Sequence, residues 1–285
     1  MKKLFAHLLA FFVLAQALAL AVGTGFIAQQ LSVLEHPEDP GNAVTLLLYV
    51  LAAAAVLLII LKFYSGNLLF QALEFLLVLF STYMALQLLV DSLPALAIGI
   101  AAGAARFLYP PARSYLLLLS AGVAGALLGS SLDAIPAIAF ATLLSVYDVL
   151  AVFYTKHMIT LAQGLNDRGT SFSIRITVPS LQTPKNSATN AKGKQASKSS
   201  AKKSTTKEGA RESIELGTGD IVIPAMIMVA AAKLSLVQAG AALAGSIVGM
   251  LLLFWLMTRR RGYWPALPPI VLGSLVFLAA ATLLG

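Results

Sequence analysis

From Leu4 to Ile27 the chain carries no Asp, Glu, Lys or Arg, and runs of the same kind recur along most of its length. A helix of about 20 apolar residues crosses the ~30 Å hydrocarbon layer of a bilayer. In lipid the backbone N–H and C=O groups have no water to bond, so only helices or closed barrels can span it. A barrel needs strands of alternating polarity. These runs are continuously apolar, which leaves an all-α polytopic membrane protein. With 59% hydrophobic and 11% charged residues, the chain is also too apolar for a water-soluble domain.

The runs predict nine transmembrane helices over 4–27, 44–63, 68–90, 94–109, 115–132, 134–154, 216–234, 237–257 and 265–284. The first is read as a span and not as a cleaved signal, because it exceeds the roughly 7–15-residue apolar core of a signal peptide. The fourth is short, carries Gly99, Gly103 and Arg106, and stops at Tyr109-Pro110-Pro111, where proline cannot continue the helical ladder. Three parts follow: an N-terminal membrane part over 1–155, a long loop over 156–215, and a C-terminal membrane part over 216–285.

Alternating the nine crossings sorts the charges. Lys2, Lys3, Lys62, Arg106, Arg113, Arg259, Arg260, Arg261 and the whole long loop fall on one face, which gathers 19 of the 20 basic residues. Only Lys233 falls on the other, together with Glu35, Glu38, Asp39, Asp91 and Asp133. Basic residues collect in cytoplasmic loops, so the N-terminus and the long loop are expected in the cytoplasm and the C-terminus outside.

The middle of the loop, 183–207, is a Ser/Lys/Ala/Thr/Asn tract expected to be disordered, since it has little apolar surface to bury against the entropy of ordering. Its basic charge fits a cytoplasmic loop near anionic membrane lipids and does not call for nucleic acid. At 171–178, Phe172, Ile174, Ile176 and Val178 occupy every second position, which predicts a short strand.

Two carboxylates stand inside the apolar runs: Asp148 in the sixth and Asp220 at the seventh. Each costs about 2.5–3.5 kcal/mol at the centre of a membrane helix, and neither helix core supplies a Lys or Arg as counter-charge. Both lie within several residues of the cytoplasmic ends of their spans, so antiparallel neighbours can bring them to one level. Two carboxyls in contact tend to share a proton, and such a pair can cut a peptide bond without metal or covalent intermediate. Tyr147 adds a phenol beside Asp148, Gly217 and Gly219 leave room beside Asp220, and the prolines of 264–270 leave carbonyls unpaired at the same face.

Tyr147-Asp148, Gly217-Thr218-Gly219-Asp220 and Pro265-Ala266-Leu267, in this order and topology, resemble the presenilin and signal peptide peptidase family of intramembrane aspartyl proteases, most closely an archaeal presenilin homologue. The resemblance spans the nine-helix layout. It implies an aspartic endopeptidase that hydrolyses peptide bonds within transmembrane segments of membrane-protein substrates, with Asp148 and Asp220 as the catalytic dyad. It implies that Tyr147, Gly217, Thr218, Gly219, Pro265, Ala266 and Leu267 shape the site or hold substrate. It also implies that substrate is engaged by strand addition near 172–178 and 211–216. Thr218 departs from the family's usual leucine, which bears on site packing and cleavage preference.

Two other readings use the same residues. Intramembrane carboxylates build proton or cation relays in transporters and channels, and type IV prepilin peptidases also carry a Gly-x-Gly-Asp site. Against the first stands the gathering of all three motifs near one face; against the second, the proline-alanine-leucine segment. Zinc and thiol proteolysis lack residues, since the chain has no His-Glu-x-x-His and no cysteine. No metal, cofactor or accessory subunit is required by the sequence. Glu74 is expected to snorkel to the interface or to make an interhelical contact, and Gly122, Gly125, Gly240, Gly245 and Gly249 to let helices approach closely.

Overall fold

The computed structural model describes residues 2–64, 66–109, 112–155, 173–177, 213–259 and 265–284. The basic tract 183–207, the loop termini beyond the two strands, and Trp264 lie outside the described residues. The nine α-helices among the described residues are α1 (Lys2–Ala28), α2 (Gly41–Phe63), α3 (Leu68–Leu86), α4 (Ser92–Leu108), α5 (Ala112–Ser131), α6 (Ala134–Leu150), α7 (Gly219–Ala232), α8 (Leu236–Arg259) and α9 (Leu267–Leu284). A π-helical turn, Ala151–Thr155, prolongs α6. Seven of these helices are long and apolar enough to cross a membrane; α4 and α7 are shorter.

The bundle is organised around α7. Of the eleven positions from Ile221 to Ala231, ten are buried, and α7 is enclosed by α1, α5, α6, α8 and α9. At 1.5 Å per residue α7 is only about 21 Å long. Because protein and not lipid surrounds it, its length need not match the bilayer. At the other extreme, α2 buries only Ala43 and exposes Val44, Leu48, Tyr49, Val56 and Ile59. In a membrane that apolar surface faces acyl chains.

Glycines set the closest approaches. A Cβ at Gly125 or Gly129 of α5 would lie 2.8 Å from the Val222 carbonyl oxygen or 2.6 Å from that of Met226, so α5 admits the backbone of α7 itself. Likewise a Cβ at Gly245 or Gly249 of α8 would strike the backbone of α9. Gly240 differs from expectation: an added Cβ there meets nothing within 4 Å, since it lies exposed near the start of α8.

Of the boundaries that depart from the sequence reading, two have a cause visible in the backbone bonding. The third helix stops at Leu86, where the N–H groups of Leu89 and Val90 both turn back to the Leu86 carbonyl. The seventh starts at Gly219 and not at 216, because the backbone of 213–217 is engaged elsewhere. Strand β1 (Ser173–Thr177) pairs antiparallel with strand β2 (Ser213–Gly217), in a register that sets Ser173 opposite Gly217 and Thr177 opposite Ser213. A residue committed to a ladder cannot also supply the i→i−4 bonds of a helix.

At one end of α3, Glu74 is fully buried between Arg106 of α4 and Arg113 of α5. Arg113 Nε donates to Glu74 Oε1 at 2.8 Å, and Arg106 Nη2 donates to Glu74 Oε2. One carboxylate thus ties three helices, the interhelical one of the two roles expected; being fully buried, it does not snorkel. At the opposite end of the bundle Lys233 Nζ pairs with Asp133 Oδ1 at 3.1 Å, joining the end of α7 to the start of α6.

Candidate active site

Asp148 is two residues from the end of α6, at the point where α-helical bonding gives way to the π-turn. The Ala151 N–H is shared between the carbonyls of Asp148 and Tyr147. Such turns add a residue to the helical circuit and are frequent at functional sites; no Gly or Pro marks this one in the sequence. The Asp148 side chain is buried, at 5% exposure. Tyr147 is half-buried and packs against the main apolar core.

Asp220 occupies the first turn of α7. That turn is defined by Thr218, whose carbonyl accepts from both Ile221 and Val222 at 3.1 and 3.0 Å. Thr218 makes no side-chain cap to the helix. Pro224 falls four residues after Asp220 and has no N–H, so the Asp220 carbonyl loses its helical partner. Asp220 and Asp148 lie within Coulombic reach of each other.

The glycines beside Asp220 differ in what they do. Gly217, the last residue of β2, brings its backbone to the Asp220 carboxyl: a Cβ there would sit 3.1 Å from Oδ2. Around Gly219 there is open space, and the residue is exposed. Strand β2 therefore runs into the start of α7 through a single intervening residue, Thr218.

The proline-alanine-leucine segment reaches the same place. Leu267 begins α9, and its N–H donates to Asp148 Oδ2 at 3.4 Å. The first N–H groups of a helix have no partner within it; with Pro268 and Pro269 following, Leu267 supplies the donor of this turn. The backbone group that meets the Asp148 carboxylate is thus an N–H donor, a contact the sequence reading did not single out. Pro265 and Leu267 are buried and Ala266 is half-buried.

The structure thus assembles α6, α7 and α9 around two carboxyls. All nine residues singled out in the sequence lie in or beside that meeting point. Sequence reasoning missed Gln16 of α1, whose Nε2 donates to the Ile221 carbonyl at 3.2 Å. Its signal was available, as the lone amide within the first charge-free run. Among the described residues no group of three His, Asp or Glu side chains is arranged to hold a metal.

The family model described as "Signal-peptide peptidase, presenilin aspartyl protease" matches residues 9–284. Two solved structures described as a presenilin family intramembrane aspartate protease, in C222 and P2 space groups, share the fold. The first is 20% identical with a TM-score of 0.69, covering 99% of each chain. The second is 21% identical with a TM-score of 0.65, covering 96% of this chain and 97% of that one. A comparison with curated protein sequences yields no match. The chain belongs to the signal-peptide peptidase and presenilin family of aspartyl proteases. It is a multi-pass integral membrane protein and an aspartic endopeptidase that cuts within transmembrane segments, and nothing favours a transporter or a prepilin peptidase.

Proposed function

We propose that Asp148 and Asp220 act as one catalytic unit, with Tyr147, Gly217, Thr218, Gly219 and Pro265-Ala266-Leu267 forming its walls. The observation that carries this reading is the Leu267 N–H on Asp148 Oδ2, which joins the sixth-helix motif to the ninth beside the first turn of α7. One carboxylate removes a proton from water while the other, protonated, gives its proton to the scissile carbonyl oxygen, producing a gem-diol. Collapse of the diol returns a proton through the dyad to the amide nitrogen, the C–N bond breaks, and a carboxylic acid and an amine leave. The Leu267 N–H holds one oxygen of Asp148 in place during both transfers.

The decisive experiment is incubation of the purified protein, in vesicles, with a single-span substrate. Defined cleavage products that disappear with Asp148→Ala support the dyad. Its pH dependence supplies a further expectation. A pair sharing one proton works only when singly protonated, so activity should rise and then fall as pH increases. The low-pH limb loses the base and the high-pH limb loses the acid; a flat profile over the range in which the protein stays folded would count against the shared proton.

The orientation follows from the charge distribution: the N-terminus and the 156–215 loop cytoplasmic, the C-terminus outside. Substrate then meets the dyad from the cytoplasmic side, where β1 and β2 lie. A transmembrane helix hides its peptide groups in its own hydrogen bonds, so cleavage requires unwinding, and the freed groups need partners where water is scarce. An outer edge of the β1–β2 ribbon offers them by strand addition. Ile174→Pro or Ile176→Pro, which removes a donor from β1, should reduce cleavage about ten-fold or more while helical circular dichroism is unchanged. Deleting 183–207 should change cleavage less than about two-fold. The reverse pattern would move recognition from the ribbon to the basic tract.

A further inference from the structure

Gln16 is fully buried in the apolar middle of α1. Its amide N–H reaches across 205 positions of sequence to the carbonyl of Ile221, the residue immediately after Asp220. Its own Oε1 is buried without a hydrogen-bond partner. Around this contact lies an apolar cluster containing Phe12 and Ala15 of α1, Ile221 of α7 and Ile270 of α9. A buried unpaired amide oxygen destabilises a fold, whereas an apolar side chain of similar shape can be neutral or stabilising there. The amide is therefore poorly explained as a stabilising device.

Its target explains it better. The first turn of α7 carries Asp220 but lacks one internal bond, because Pro224 cannot donate to the Asp220 carbonyl. The Thr218 carbonyl takes two N–H groups instead of one. Such a turn has freedom to rotate, and rotation would displace the Asp220 carboxyl from Asp148. Gln16 supplies a directional tether from a neighbouring helix to the adjoining carbonyl.

We infer that Gln16 is a positioning residue for the dyad: by holding the Ile221 carbonyl it fixes the rotation of the α7 first turn and with it the placement of Asp220. The inference rests on the dyad reading given above. Displacements of this order at a reacting group cost rate more than affinity, since the geometry matters most in the transition state.

The test uses the full-length protein with Gln16→Met, which keeps the length and removes the donor, and Gln16→Asn, which keeps the amide one methylene too short. Both should lower kcat about ten-fold with KM within about two-fold. Both should also weaken an inhibitor bearing a hydroxyl in place of the scissile carbonyl about ten-fold. Unfolding temperature should stay level or rise in Gln16→Met. Wild-type kcat and inhibitor affinity in either folded variant would overturn the inference. So would a fall in unfolding temperature with unchanged kcat per folded molecule, or a loss confined to KM. Activity persisting in Asp148→Ala, measured in parallel, would instead overturn the dyad itself.

Discussion

Asp148→Ala and Asp220→Ala should each reduce cleavage of a single-span substrate by a factor on the order of 10³ or more, and the double variant should be no worse than either. Groups that act as a unit show this lack of additivity, because the first loss already removes the pathway that the second would have served. One carboxyl alone can accept the proton of water or protonate the carbonyl, but cannot do both in one step. Folding should survive both changes, since a carboxylate in a membrane helix costs about 2.5–3.5 kcal/mol that alanine does not. Against that, Asp148→Ala leaves the buried Leu267 N–H without its acceptor, which costs about 1–3 kcal/mol. The net effect on thermal unfolding in detergent is therefore small or stabilising. Cleavage retained within ten-fold of wild type in either purified variant would remove the dyad from the mechanism.

Glu74→Ala has the largest expected effect on the fold. It deletes the single carboxylate between Arg106 and Arg113, and Arg106 is itself only 7% exposed. Two of the Arg106 nitrogens, Nε and Nη1, already lack hydrogen-bond partners, so no nearby group stands ready to replace the lost charge. Breaking a buried pair in this way costs roughly 3–5 kcal/mol, enough to loosen the joint between α3, α4 and α5. The prediction is a marked fall in unfolding temperature. A triple change of Glu74, Arg106 and Arg113 to leucine should recover much of it, since the penalty comes from the uncompensated charge. Unchanged unfolding in Glu74→Ala would show the cluster to be energetically idle. Because Glu74 lies outside the α6–α7–α9 meeting point, Glu74→Gln should retain cleavage per folded molecule.

Membrane helices are legible in a sequence because lipid leaves the backbone a single solution over each apolar run. Hence all nine were expected close to where they are found, and the lone aspartates stood out against them. The β1 pattern was legible too, through the alternation at 172–178. What pairs with it was not. Ser213–Gly217 reads as the lead-in to a helix until its antiparallel partner, some 40 residues earlier in the chain, claims its backbone. That non-local pairing moves the start of α7 to Gly219 and puts Asp220 in its first turn.

The sequence by itself determined the membrane class, the helix number, and the residue types the chemistry requires. Those depend on local composition and on the cost of burying charge, which any reader of the chain can estimate. Tertiary structure alone decided which backbone and side-chain groups meet the carboxyls. Leu267 donates to Asp148 across a separation of 119 residues, Gln16 to Ile221 across 205, and Arg106 and Arg113 converge on Glu74 across 32 and 39. Hydrogen bonds act over about 3 Å and with fixed directions, so their partners are set by how helices pack, and no local pattern in the sequence encodes that.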